Sequence, residues 1–214
     1  QTKSLFIIFI LICFQGFLGW FMVKSGLVNR VDVSHFRLSM HLTTAFIILS
    51  LILWNILKYK NYNFINNHII KYNLPLIFLF TIFLQIIFGA FVSGMDAGKI
   101  YNTWPLMGNN YFPNDSLFLN LFDIRVFSDP SLVQFIHRNL AYLILIIFLL
   151  ILYFVITEKL FNFYNIMKYL GLALFIQIFL GIVTILSGAQ MFLASMHQIS
   201  SIFLISLSIY LLFL

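Results

Sequence analysis

Cysteine is all but missing from this chain: Cys13 is the single one in 214 residues, and it lies inside an apolar run. An internal disulfide is therefore excluded, as is a zinc or iron–sulfur site built on thiolates, and Cys13 reads as a packing residue. Charge is nearly as scarce. Asp, Glu, Lys and Arg make up 8% of the chain, where a soluble domain carries about a quarter. The five aspartates all fall between apolar runs, where solvation is their default role. No carboxylate pair lies within a run, and there is no nucleophile triad or phosphate-cradling loop. No signal-peptide pattern is seen at the start, and residue 1 is Gln rather than Met.

What is present is apolar surface. Hydrophobic residues reach 62%, dominated by Phe, Ile and Leu, so the chain is an all-α integral membrane protein surrounded by membrane lipid. At about 20 apolar residues per span, six transmembrane helices are expected, roughly at 5–24, 35–57, 74–95, 132–156, 168–187 and 191–213. The net charge of +6 sits in short loops beside the spans, as orientation signals do, so a nucleic-acid partner is discarded. An even number of spans puts both ends on one side. That first side holds Lys3, Lys58, Lys60, Lys71, Lys159 and Lys168, and the second holds Lys24, Arg30, Arg37, Lys99, Arg125 and Arg138. The counts tie; with Arg37 and Arg138 set aside as site residues, the first side reads as cytoplasmic.

The longest connection, 96–130, is too rich in Asn, Asp and Pro to span, yet carries Tyr101, Trp104, Pro105, Leu106 and Met107. It is either a lid folded over the bundle or a loop with ordinary interfacial aromatics. An internal repeat carries more weight. Gln15 is followed four residues on by Gly19 and then by Ser25 and Gly26, with His41 in the next helix; Gln177, Gly181, Ser187, Gly188 and His197 keep the same Gln-to-Gly and Gln-to-Ser offsets. A looser copy runs through Gln85, Gly89, Ser93, Gly94 and His137. Gln and Gly four apart share a helix face, where they read as packing devices.

His41, His137 and His197 each lie about six residues inside a span that starts on the second side. Ionisable groups within a bilayer are costly and mark functional sites, and imidazole is an axial ligand of haem iron. A six-coordinate haem needs two imidazoles facing each other at equal height, which His137 and His197 supply. Its propionates would face the nearby surface, where Arg138, directly after His137, and Arg37, one turn before His41, are candidates to pair with them; snorkelling at the interface is the alternative for both. His35, at a helix mouth, and His68, in a charged loop, read as solvated. His41 lacks an evident partner, and in a protein of two halves its companion would lie in a helix before residue 1.

The segments Tyr101-Asn-Thr-Trp-Pro-Leu-Met107, Gln134-Phe-Ile-His-Arg-Asn-Leu-Ala-Tyr142, Leu180-Gly-Ile-Val-Thr184 and Ala194-Ser-Met-His-Gln198 together resemble the heme A synthase family, as does Ser34-His-Phe-Arg-Leu-Ser-Met-His-Leu42. The resemblance covers nearly the whole chain. It implies an eight-helix bundle of two similar four-helix halves, in which residues 1–73 are the remainder of the N-terminal, substrate-binding half and 74–214 the C-terminal cofactor half. The implied reaction takes heme O to heme A, oxidising a porphyrin methyl to a formyl through an alcohol with water as oxygen source, for terminal cytochrome oxidase. His137 and His197 match the ligands of a haem b cofactor, and His41 matches a substrate-side, catalytic histidine of the other half. The lack of loop cysteines resembles the proteobacterial and mitochondrial branch, so a bacterial inner membrane is expected, with the mitochondrial inner membrane as the alternative. Implied partners are heme O, heme O synthase and an electron acceptor; a homo-oligomer is left open. The family's first two helices, with an acidic residue and a further histidine, have no counterpart here, so these residues alone are expected not to catalyse the reaction. Two rivals stay open: a haem carrier or assembly factor, and a cytochrome b-type electron-transfer subunit. The second would ordinarily set two histidines about four turns apart on one helix, whereas His35 and His41 are six residues apart.

Overall fold

The computed structural model describes residues 2–26, 33–60 and 73–214. They form six α-helices: α1 (Thr2–Gly26), α2 (His35–Tyr59), α3 (Leu74–Gly94), α4 (Pro130–Thr157), α5 (Tyr164–Leu186) and α6 (Met191–Phe213). Among the described residues there is no β-strand, only an isolated bridge between Met107 and Asn110. All six helices are long and apolar enough to cross a membrane, so the chain is an integral membrane protein. The expected spans differ from these helices only at their ends. α4 begins at Pro130 because Asp129 caps it, its side chain accepting from the backbone N–H groups of Ser131 and Leu132, and Pro suits a first helical position. α5 begins at Tyr164, ahead of the apolar window, because Ile166 and Met167 are buried in its first turn although Asn165 and Lys168 dilute the hydropathy.

α3, α4, α5 and α6 pack in a ring, each against two others of the four; α2 lies against α3 and α6, and α1 packs on α2. The close-packed core occupies the first-side half of this ring. Phe78, Ile82 and Ile86 of α3 meet Ile144, Ile147, Phe148 and Ile151 of α4, Leu170 and Leu174 of α5, and Leu204, Ile205 and Ile209 of α6. The second-side half differs. The buried residues of α5 stop at Leu174 and those of α6 start at Leu204, leaving more than three turns of each helix, the histidine level included, without a fully buried side chain. Most of α1's apolar side chains, among them Phe6, Phe9, Phe17 and Trp20, are exposed, which suits lipid contact.

α2 crosses the end of α3 at very short range. A Cβ added at Gly94 would stand 2.8 Å from both Cα and Cβ of His35, and backbone in that position cannot yield cheaply. This crossing corrects the reading of His35 as solvated: its ring stacks edge-on against Phe91 at 5.4 Å and its Nε2 is buried without a partner. His68, together with Arg30 and Lys71, lies outside the described residues.

The long loop is folded back over the second-side ends of the bundle, in short 3-10 turns at Ala97–Lys99, Phe118–Phe122 and Ile124–Ser128. Asn102 Nδ2 donates to the carbonyl of Ile185 at the end of α5 (3.1 Å). Asp129 joins loop and helix, since its Oδ1 caps α4 and its Oδ2 accepts from Ser116 Oγ at 3.2 Å. Asp129→Ala is expected to cost about 1 kcal/mol through the lost cap and to lower the thermal midpoint in detergent; an unchanged midpoint would show that the first turn of α4 is held by other groups.

Candidate functional site

Three imidazoles are held in the same way by three helix pairs. In each pair the first helix offers a glycine whose missing side chain receives the ring: a Cβ at Gly19, Gly89 or Gly181 would lie 3.2, 3.1 or 3.0 Å from Cε1 of His41, His137 or His197. One turn earlier on the same face stands the glutamine. Gln15 Nε2 lies 3.3 Å from His41 Nε2, Gln85 Nε2 lies 3.3 Å from His137 Nε2, and Gln177 Nε2 lies 3.4 Å from His197 Nε2. The offset of four seen in the sequence thus sets a ring seat and an amide one turn apart, with the histidine between them. Gln and Gly do pack helices together, as their spacing suggests, but the glutamines also belong to the site. Their contact depends on the register between two helices, which the constant Gln-to-Gly spacing hints at without defining.

The amide orientation follows from second contacts. Gln15 Nε2 also donates to the His41 carbonyl at 3.0 Å, and Gln177 Nε2 to the His197 carbonyl at 3.1 Å. An amide oxygen there would face a carbonyl oxygen, so the nitrogen must point at backbone and ring alike. Ser200 Oγ is within hydrogen-bond reach of Gln177 Oε1 and of the His197 carbonyl at 2.9 Å. The Gln85 amide bonds only to the ring, and its Oε1 is buried without a hydrogen-bond partner. The Nδ1 atoms of all three histidines are likewise buried, with no group in hydrogen-bond geometry, although the backbones of Gln85 and Gln177 reach the rings of His137 and His197. His137 on α4 and His197 on α6 stand on helices opposite each other in the ring. His41 lies on α2, outside the four-helix ring. Between α2 and α6 runs an apolar groove of about 420 Å³, lined by Leu42, Ala45, Phe46, Ser195, Gln198 and neighbouring aliphatic residues, beside His41 and His197 in the chain.

The two arginines are placed differently from each other. Arg37 lies over the ring of Phe21 on α1, 4.8 Å from its centre. Arg138 is buried and reaches into the loop: Nη1 donates to the carbonyls of Thr103 (2.8 Å) and Leu106 (3.3 Å), and Nη2 to that of Tyr101 (2.9 Å). Gln134, one turn earlier, donates to the same Tyr101 carbonyl at 3.1 Å. The Tyr101–Leu106 segment is therefore clamped to α4 next to His137, as a lid would be, and only Nε of Arg138 has no partner. Asp115 accepts from Tyr101 Oη at 3.0 Å and from Ser131 Oγ at 2.7 Å, so two outer-loop aspartates, Asp115 and Asp129, fasten the loop. Partial burial, together with the Asp115 carboxylate, pushes the Tyr101 phenol above its ordinary range.

Among the described residues no three His, Cys, Asp or Glu side chains come together as a cage for a bare metal ion. Pairs of imidazoles on facing helices suit instead an iron that brings its own equatorial nitrogens. The elements together define a class: a polytopic helical membrane protein whose repeated helix pairs each clasp one histidine between a glycine and a glutamine.

The family model for cytochrome oxidase assembly proteins matches residues 1–209. The heme A synthase of Pelagibacter ubique (strain HTCC1062) is 47% identical over 200 residues, covering 93% of this chain and 58% of that protein. Those of Rickettsia bellii (strain RML369-C) and Rickettsia rickettsii (strain Sheila Smith) are 41% and 37% identical, covering 97% and 96% of this chain and 62% of each relative. The chain belongs to the heme A synthase family, and it spans about three-fifths of the length of these relatives.

Arg138→Ala strips three carbonyls of a charged donor, each such bond being worth about 1.5–3 kcal/mol, and is expected to make the 101–106 segment the first site of cleavage in limited proteolysis; an unchanged cleavage pattern would show that Gln134 and Asn102 suffice to hold it. For Tyr101 the sign is that of a raised group: the neutral phenol is favoured in the folded loop, so the contact with Asp115 is complete below the ordinary phenol range and is lost as pH rises through the elevated value. An ultraviolet titration is expected to show a late-titrating tyrosine that Asp115→Asn returns towards the ordinary range.

Proposed function

We propose that this chain forms the greater part of a heme A synthase that oxidises the methyl group of heme O to the formyl group of heme A. The reading is carried by three imidazoles, each clasped by a glycine and a glutamine of the preceding helix, in a chain whose relatives bear that name. His137 and His197 would hold a haem b cofactor. The residues present fit it on three counts: two imidazoles on α4 and α6, which stand opposite each other in the ring, bare glycine backbone behind each ring, and a second-side half of the bundle in which α5 and α6 bury no side chain at that level. Such a cofactor supplies one-electron exchange when bound.

The chain's own groups orient and shield. His41 lies on the helix outside the four-helix ring and, with Arg37, is assigned to the heme O side. The clamped loop keeps water from the second-side mouth of the ring, and Arg138, its terminal nitrogens spent on carbonyls, serves a bound cofactor by fixing that loop and has Nε left for a propionate. Taking a methyl to a formyl with water as oxygen source releases four electrons and four protons, so an electron acceptor is required. The helices of the described spans contain no Asp or Glu to take those protons. The ring of α3–α6 is assigned as one half of a two-half, eight-helix parent, and α1 and α2 as part of the other. The parent would sit in a bacterial inner membrane and receive heme O from heme O synthase.

The test is pigment identity. The full-length parent, produced in cells that make heme O, is expected to yield heme A and haem B by mass; His137→Ala and His197→Ala are each expected to lose haem B and its low-spin absorbance. Haem B without any formyl product would instead make the protein a carrier, and retention of haem B by both variants would remove the ligand assignment.

A further inference from the structure

We propose that Gln15, Gln85 and Gln177 set the tautomer of the three histidines, holding the ring proton on Nδ1 so that the Nε2 lone pair is ready to bind iron. For His137 and His197 this rests on the haem-ligand reading. The geometry behind it is the repeated clasp. For Gln15 and Gln177 the bond to a histidine carbonyl fixes the amide nitrogen, not the oxygen, towards the ring, and an amide nitrogen only donates. The facing ring nitrogen must then be the acceptor, and a neutral imidazole with an accepting Nε2 carries its proton on Nδ1.

Metal-bound histidines usually have their tautomer fixed through the nitrogen that does not bind the metal. Here a strong bond on that side is missing, since no group meets hydrogen-bond geometry at Nδ1. The ring is instead defined from the ligating side. On iron binding the Nε2–Fe bond would form, the amide N–H···Nε2 bond would break, and no proton would have to leave the ring. In a dry bundle, where proton exchange with solvent is hindered, that matters for the rate of loading. The bonds displaced are long, 3.3–3.4 Å, and therefore weak. Gln85, whose amide makes no other hydrogen bond, is released most easily, whereas Gln177 stays tethered to the His197 carbonyl and Ser200.

The test uses the full-length protein stripped of haem, labelled with 15N-histidine and studied by solid-state NMR, with signals assigned by single histidine replacements. His41, His137 and His197 are expected to show protonated Nδ1 and unprotonated Nε2. Gln177→Leu is expected to shift the His197 populations alone, and to slow haemin association by roughly fivefold, the equivalent of a bond of about 1 kcal/mol. Gln85→Glu keeps the size but presents an acceptor. It is expected to move the His137 proton to Nε2 and slow haemin association by at least about tenfold, as a charged bond would. Rings protonated at Nε2 in the unsubstituted protein, or tautomers unmoved in a folded Gln85→Glu protein, would overturn the proposal. Tautomers as expected in a protein that binds no haemin would uphold the tautomer assignment and remove the haem reading instead.

Discussion

An imidazole edge resting on bare helix backbone is the contact around which the second-side half of this bundle is arranged. A ring can approach a neighbouring helix that closely only where the side chain is missing. At Gly181 a Cβ would already stand 3.0 Å from the ring of His197, so even alanine would push the imidazole back by a few tenths of an ångström. Once glycine is required there, the helix period places the next same-face residue about four positions away, which is the glutamine. The pairings of α1 with α2, α3 with α4 and α5 with α6 are three solutions to one steric problem. They differ in the chain between, from a four-residue turn before α6 to a loop of some thirty-five residues before α4, while the clasp stays the same.

Stability and function are divided along the helix axes. The first-side half carries the interdigitated core of Phe, Ile and Leu, and it can be dense because nothing has to enter it. The second-side half gives up that density along α5 and α6. Its cohesion comes from hydrogen bonds made in surroundings poor in competing water: the glutamine clasps within the bundle, and Arg138 and Gln134 reaching out to the loop carbonyls. Arg138 suits that work because its planar fork engages three carbonyls from two separate nitrogens in a rigid geometry, whereas a lysine would have to gather them around one. The same bonds that close the mouth also fix the height of α4 beneath it.

The spans were legible from the sequence because lipid leaves so little latitude: apolar runs of the right length become helices, and their ends move only where a cap such as Asp129 or a half-polar turn such as Tyr164–Met167 intervenes. The histidines were legible as polar groups in those runs. The glutamines' contact with the rings was not, since it depends on the register of two helices that sequence spacing alone does not give. Arg138 looked like an anion partner because its charge is visible in a sequence, whereas the carbonyls that engage it belong to every residue and carry no signal. His35 looked solvated because the 2.8 Å crossing at Gly94 is a tertiary event. Even the recurring Ser-Gly pair hid two devices: Gly94 is a close approach, while Gly188, with φ of +71°, is a left-handed turn with open space beside it.

The three clasps are unequal, and the inequality follows from what else holds each helix. α4 is tied to the loop by Gln134 and Arg138, which flank His137, so the ring's position is set by its neighbours and Gln85 need supply only a single bond. α6 has no such anchor: among the described residues, no hydrogen bond joins its first turns to the long loop. Its histidine is held by the clasp itself, and there Gln177 is bound on both ends of its amide, to the His197 carbonyl and to Ser200. α2 lies between these cases, pinned at its start against Gly94 and by Ser39 donating to the Ile87 carbonyl at 3.3 Å, with Gln15 bonded to ring and backbone but with its amide oxygen unpaired. Each ring is thus supported in inverse measure to the anchoring of its own helix, which lets one repeated motif hold three imidazoles although their helices are secured in different ways.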